Sequence, residues 1–286
     1  MRLRVAALPG GRLHLVDGPV ELIVQAWADA AATRHALDAA CTRAGSILDE
    51  LCAELPLLRA AASGPIAQGE VARAMQAATL PHAARGFITP MAAVAGAVAD
   101  AVLAAMLDTA RLDRAMVNNG GDIAVHVAPG ETITVGAAQL GDRPGLFGTL
   151  ALRASGGIAT SGWRGRSFSL GIADAATVLA RNAATADAAA TPIANAIDLP
   201  GHPAVRRVAA SALQPDSDLG PRLVTQGVGP LDAPEVAAAL ARGAAEAEAL
   251  LAAGLIQGAA LRLQGQTRVV GRPALAYFST NAFSTT

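Results

Sequence analysis

Met116-Val117-Asn118-Asn119-Gly120-Gly121-Asp122-Ile123-Ala124-Val125-His126-Val127 is the stretch on which the reading of the fold turns. Met116–Asn118 reads as the end of a strand, Asn119-Gly120-Gly121 as a tight turn, and Ile123–Val127 as the next strand. Ala128-Pro129-Gly130 supplies another turn before a strand at Thr132–Val135, so short turns join consecutive strands here.

Working outward toward the N-terminus, a helix is expected at Met91–Asp108 behind Pro90, and another through Gly69–Ala78. From Asp29 to about Leu55, the spacing of Ala36, Leu37, Ala40, Cys41, Ala44, Ile47, Leu48 and Leu51 gives a helical stripe, with Pro56 as its stop. Before it, Arg12–Val16, the turn Asp17-Gly18 and Val20–Ala26 read as a β-hairpin, since Asp-Gly tolerates the positive φ of tight hairpins. Toward the C-terminus, strands are expected at Gly148–Arg153, Ser167–Leu170 and Ala176–Ala180. A helix is expected from Thr185, with Asp187 in its first turn and Pro192 cutting into it. A long alanine-rich helix at about Ala233–Ala253 and a hairpin turning near Gln264-Gly265 complete the chain. Strand groups separated by helices define an α+β fold with a largely antiparallel sheet. It is organised as one domain over residues 1–286 or as two closely packed α/β halves.

Composition narrows the function classes. Hydrophobic residues form 52% of the 286 and charged residues 16%, enough apolar surface for a core and no basis for disorder. The net charge of −1 and the lack of a basic run argue against nucleic acid as a partner. The start carries charges every few residues and no apolar stretch of signal-peptide length, so a cytoplasmic protein is expected. Met91–Leu107 is the most membrane-like run, but Asp100 interrupts it and it falls short of the roughly 20 residues a bilayer needs, so a buried helix is expected and no membrane partner. Cys41 and Cys52 would lie roughly 16 Å apart along one helix, too far for a disulfide, which leaves core packing in a reducing compartment.

Three segments carry residues suited to ligand chemistry. In Asn119-Gly120-Gly121-Asp122, two glycines can bring backbone N–H groups against an anion, and the Asn and Asp can bond a sugar or base edge; a plain turn uses the same residues. Ser155–Arg166 places Ala159, Thr160, Ser161 and Gly162 ahead of Trp163, Arg164 and Arg166. Guanidinium groups suit phosphate, and indole or guanidinium suits ring stacking, although a glycine-rich surface loop has this composition too. Asp187 and Thr191, four apart on a helix, present two oxygens on one face to a hard cation such as Mg²⁺; helix capping is the commoner use of that spacing.

The order of these segments resembles the ApbE superfamily, from about Phe87 to Ile197. Members of known activity are FAD:protein FMN transferases. The resemblance implies that Asn119, Gly120, Gly121, Asp122, Ala159, Thr160, Ser161 and Gly162 line a flavin nucleotide site, joined by Arg164 and Arg166, and that Asp187 and Thr191 bind Mg²⁺. Gly96 and Asp100 match the family's KGxxxD segment, with Ala95 where the lysine stands. The family's His-Ile-x-Asp-Pro-x-Thr-Gly stretch, which carries the proposed catalytic histidine, has no counterpart, and no histidine occurs between His126 and His202. The expected function is binding of a flavin or related nucleotide with Mg²⁺, with FMN transfer to an acceptor protein, or pyrophosphate cleavage, as the chemistry. Two alternatives stand beside it: a nucleotide-binding protein without turnover, and, by analogy with short relatives, an enzyme of another cofactor pathway such as pterin-linked one-carbon metabolism.

Overall fold

The computed structural model describes residues 2–139 and 145–271. The chain opens with strands β1 (Arg4–Leu8), β2 (Arg12–Asp17) and β3 (Val20–Trp27). Helices α1 (Ala30–Ala53), α2 (Leu55–Leu58) and α3 (Glu70–Ala83) follow, then a 3-10 turn at Pro90–Ala93 leading into α4 (Val94–Thr109). Strands β4 (Arg114–Asn119), β5 (Asp122–Val127), β6 (Ile133–Gln139), β7 (Gly145–Leu152), β8 (Gly156–Ser161) and β9 (Ala175–Ala180) precede α5 (Ala183–Ala196). The chain continues through β10 (Val205–Ala209), α6 (Ala210–Leu213), β11 (Leu223–Val228), α7 (Ala233–Ala252), β12 (Gly258–Leu263) and β13 (Gln266–Gly271).

Nine strands form one sheet in the order β1-β2-β3-β4-β5-β8-β9-β12-β13, and every neighbouring pair is antiparallel. The α+β reading with a largely antiparallel sheet therefore holds. Period-2 alternation sends Val20, Leu22, Val24 and Ala26 of β3 to the helical face, where they meet α1, α3 and α4 in one core. A second core joins β8, β9, β12 and β13 to α5 and α7. On the opposite face, β6 and β7 pair as a separate hairpin whose Ile133, Val135, Leu150 and Leu152 cover Ile123, Val125, Ile158 and Leu179 of the sheet.

Local chemistry sets the helix limits. Asp29 caps α1 by accepting from the N–H groups of Ala31 and Ala32. Asp232 and Glu235 form a reciprocal capping box on α7. α1 stops at Ala53, and Pro56 lies in the first turn of α2, where its missing N–H is harmless, so it opens a helix rather than ending one. α3 runs to Ala83 with Pro81 inside it, past the expected end at Ala78. Cys41 is half-buried and packs against the first core as expected, whereas Cys52 is exposed and does not; both are free thiols. With its leading turn, the fourth helix spans Pro90–Thr109, 20 residues, long and apolar enough by length and composition to cross a membrane, which corrects the expectation that this run is too short. Half of its most apolar window is buried, and it packs against α1, α5, β4 and β5.

One alternative and one expectation fail around the middle of the chain. The glycine-rich Gly156–Ser161 is no surface loop but β8, a central strand buried over its first four residues. Its glycines permit a close approach: a Cβ on Gly157 would stand 2.0 Å from the Ala183 nitrogen at the start of α5. Conversely, Ser167–Leu170 is not a strand. Its backbone is held by other means, Leu170 N–H donating to Asn195 Oδ1 and Ser169 O accepting from Thr225 N–H. α5 begins at Ala183 under an Asn182 cap, so Asp187 lies beyond the first turn, and Pro192 is accommodated within a helix that continues to Ala196.

α4 and α5 meet almost backbone to backbone at Gly96, where an added Cβ would lie 2.2 Å from Ala183 O. Gly96→Ala is therefore expected to destabilise the fold by about 2 kcal/mol, read as a lower urea midpoint.

Candidate functional site

Strand β4 ends at Asn119, and the Gly120-Gly121 turn delivers the chain into β5 with positive φ at both glycines, 64° and 114°. At this end of the sheet the β5–β8 pairing is short, its outermost pair being Ile123↔Ile158. Beyond it, Thr160 N–H donates to Asp122 Oδ1 at 3.1 Å, so a carboxylate takes over the ladder hydrogen bond where the strands part. A cavity of about 880 Å³ opens around this splayed end, within the range of cofactor sites.

The cavity brings together most of the expected residues. Gly120, Gly121 and Asp122 line it from the turn; Thr160, Ser161 and Gly162 from the end of β8; Arg164 and Arg166 from the following loop; and Asp187 and Thr191 from α5. Asn119 and Ala159 are not among its lining residues. The Asn119 side chain is buried and donates to Ala95 O at 3.1 Å, while Ala159 is fully buried in the second core. Trp163 does not line the cavity either; its ring stacks under the Arg164 guanidinium at 4.4 Å. The glycine turn presents less free N–H than the sequence suggests, because Asn118 Oδ1 accepts from Gly121 N–H at 2.8 Å. Gly120 serves close approach instead, with the Arg166 guanidinium lying where a Cβ would be.

Three aspartates surround the facing N-termini of α4 and α5. Asp187, on α5, accepts from Gly96 N–H of α4 at 3.0 Å. Asp100, on α4, accepts from Ala183 and Ala184 N–H of α5 at 3.0 and 2.8 Å. Each helix thus supplies the cap of the other, placing negative charge at positive helix ends. Burial pushes the Asp122 carboxyl up to about 6 against the pull of Thr160 N–H and Arg166. Burial, then the charge of Asp122, drives Asp187 well above the usual carboxylate range, with the N–H groups of Gly96 and Ala95 opposing. Burial also raises Asp100, against the two N–H groups it accepts from. Asp100→Ala strips two buried N–H groups of their acceptor and is expected to destabilise the protein by about 2 kcal/mol, with Asp100→Asn losing less; thermal melts of both variants check this.

These carboxylates form an electrostatic deficit that a cation would relieve. Among the described residues, no three His, Cys, Asp or Glu side chains converge on one metal position. Asp187 and Thr191 fit an Mg²⁺ half-site, because Mg²⁺ is commonly held by one or two carboxylates and completed by water and substrate phosphates. The chain contains no lysine, so every fixed side-chain cation near the site is a guanidinium.

The far wall of the cavity escaped sequence reasoning. Arg59 pairs with Asp216 at 2.9 Å, Thr89 Oγ1 donates to Asp218, and Arg222 lies over the Phe87 ring at 3.4 Å. These residues are distant in sequence and share no local motif. Asp174, also lining the cavity, pairs with Arg164 at 3.3 Å.

The fold and the site define an α+β protein with one large antiparallel sheet and a cavity at the sheet's end that is lined in part by charged residues. The chain belongs to the family described as AbpE bacteria, which it matches over residues 5–269. It is similar to the UPF0280 protein of Methanothrix thermoacetophila, 42% identical over 131 residues, which is 44% of this chain and 52% of that one. The UPF0280 protein of Methanopyrus kandleri is 40% identical over 129 residues, 44% of this chain and 48% of its own. That of Archaeoglobus fulgidus is 41% identical over 110 residues, 38% and 45% respectively. The chain spans about half the length of the curated relatives it matches.

Proposed function

We propose that this protein binds a flavin nucleotide, FAD or a close relative, together with Mg²⁺ in the cavity at the end of the sheet, in the manner of the ApbE superfamily. The observation that carries the reading is the convergence of three separate segments on one cavity: the Gly120-Gly121-Asp122 turn, Thr160–Arg166 and the Asp187/Thr191 pair. Arg164 and Arg166 would hold phosphates, for which guanidinium groups are geometrically suited. Asp187 and Thr191 would hold Mg²⁺, which when bound withdraws charge from the pyrophosphate oxygens. The associated chemistry is breakage of the bond between the FMN phosphorus and the bridging oxygen, with AMP leaving and FMN passing to a hydroxyl of an acceptor protein or to water. Two free thiols suit the cytoplasmic setting that is part of this reading.

A second reading, binding without turnover, is favoured by one observation: among the described residues lining the cavity there is no histidine. Incubation of the protein with FAD and Mg²⁺, followed by chromatography for AMP and FMN, separates the two. Release of AMP that is lost in Asp187→Ala supports transfer or cleavage; intact FAD bound without release supports the silent pocket; no retention of FAD overturns both.

A further inference from the structure

The wall of the cavity that precedes α4 carries an aromatic ring with no role in the site so far. Phe87 lies in the non-helical stretch between α3 and the 3-10 turn, lines the cavity and is 40% accessible. Among the described residues it is the only aromatic side chain that is exposed. Its surroundings hold it in place. Ile88 O accepts from Ala62 N–H at 3.0 Å and Thr89 Oγ1 donates to Asp218, so the next two residues are tied to the neighbouring loops. Arg222 covers one face of the ring at 3.4 Å, is itself fixed by donating to Leu219 O at 3.2 Å, and does not line the cavity. The ring is thus backed by a guanidinium on one face and open on the side turned to the cavity. From Phe87 the same wall continues through Thr89, Met91 and Ala95 to Gly96, whose N–H meets Asp187.

An apolar ring left accessible inside a cavity gains its burial energy only when something covers it. The guanidinium behind the ring decides what suits the open face. A second cation there would be repelled by Arg222 across the ring, whereas a neutral flat ring stacks on it without that penalty. The polar rim points the same way. Arg59 and Asp216 neutralise each other at 2.9 Å, so this end of the cavity offers a phosphate no unbalanced charge from that pair. Gln214 and Ser217 line the cavity beside them and carry donors and acceptors of the kind a heteroaromatic edge needs. We infer that the open face of Phe87 is a stacking surface for a flat heteroaromatic ring of the bound nucleotide. This inference rests on the nucleotide reading above and adds the residue that recognises a ring.

The test is calorimetric titration of the full chain with four probes, each with Mg²⁺: FAD, which carries two rings; FMN and ADP, which carry one of them each; and inorganic pyrophosphate, which carries none. Phe87→Leu keeps an apolar side chain under Arg222 but removes the ring, and Phe87→Tyr keeps the ring. Phe87→Leu is expected to weaken FAD at least about tenfold, the size of a base–aromatic stacking contact. It should weaken FMN or ADP by a similar factor, and the one affected identifies which ring lies on Phe87. Pyrophosphate affinity should stay at the wild-type value, and Phe87→Tyr should bind all four probes like wild type. Unchanged FAD affinity in Phe87→Leu, or an equal loss of pyrophosphate affinity, overturns the stacking assignment while leaving the nucleotide reading intact. Failure of the wild-type protein to bind FAD, FMN or ADP overturns both.

Discussion

Asp187→Asn is expected to lower the affinity for FAD in the presence of Mg²⁺ by about 100-fold and to leave the affinity in EDTA unchanged. Asparagine keeps the side chain's size and an oxygen able to accept from Gly96 N–H, the bond that caps α4. The crossing of α4 and α5 should therefore survive, and only the negative charge facing the cavity is lost. A variant that melts like wild type but no longer gains affinity from Mg²⁺ fits this account. Equal Mg²⁺ dependence in both proteins would reduce Asp187 to a helix cap.

The second large effect is on stability as a function of pH. The Asp122 carboxyl titrates at about 6 in the folded protein, against 3.8 for the ordinary side chain. Between these values the folded chain holds a proton that the unfolded chain has released, so raising the pH favours unfolding. The contribution from Asp122 is present below about pH 4, is lost as the pH rises through about 6, and amounts to about 3 kcal/mol. Asp187 and Asp100 are shifted in the same direction and act with the same sign. Asp17, held low by Arg2, acts oppositely: its stabilisation disappears as the pH falls. The difference between wild type and Asp122→Asn isolates the first effect. Thermal melts from pH 4 to pH 8 should show the wild type losing stability relative to the variant as the pH rises. Added Mg²⁺ should return part of that loss at neutral pH and little at pH 5, where the carboxylates keep their protons. Parallel curves for the two proteins would contradict the assignment.

What the sequence disclosed depended on how local the signal was. The Asp17-Gly18 hairpin, the α1 stripe capped by Asp29 and the Gln264-Gly265 hairpin are set by neighbouring residues, and all are found in the structure. β8 is not expected as a strand, because Gly156 and Gly157 weaken strand propensity; their use lies in the contact with α5, a partner some 25 residues away in the chain. The roles of Asp100 and Asp187 were hidden for a similar reason. The spacing of Asp187 and Thr191 suggests capping or a cation, but that Asp100 and Asp187 each cap the other's helix follows from the crossing at Gly96. Ten of the twelve residues expected at the site converge on one cavity, and Asn119 and Ala159 fail because alternation along β4 and β8 turns them inward. The Arg59–Asp216 wall left no local trace at all, since it is assembled from segments far apart in the chain.

The most direct test of a Mg²⁺-dependent nucleotide site is calorimetric titration of the full chain with FAD, with and without Mg²⁺, beside FMN and ADP. The account predicts saturable FAD binding at one site per chain, strengthened by Mg²⁺ and dependent on Asp187. Absence of binding by all three ligands at up to ~1 mM, with or without the cation, would contradict it.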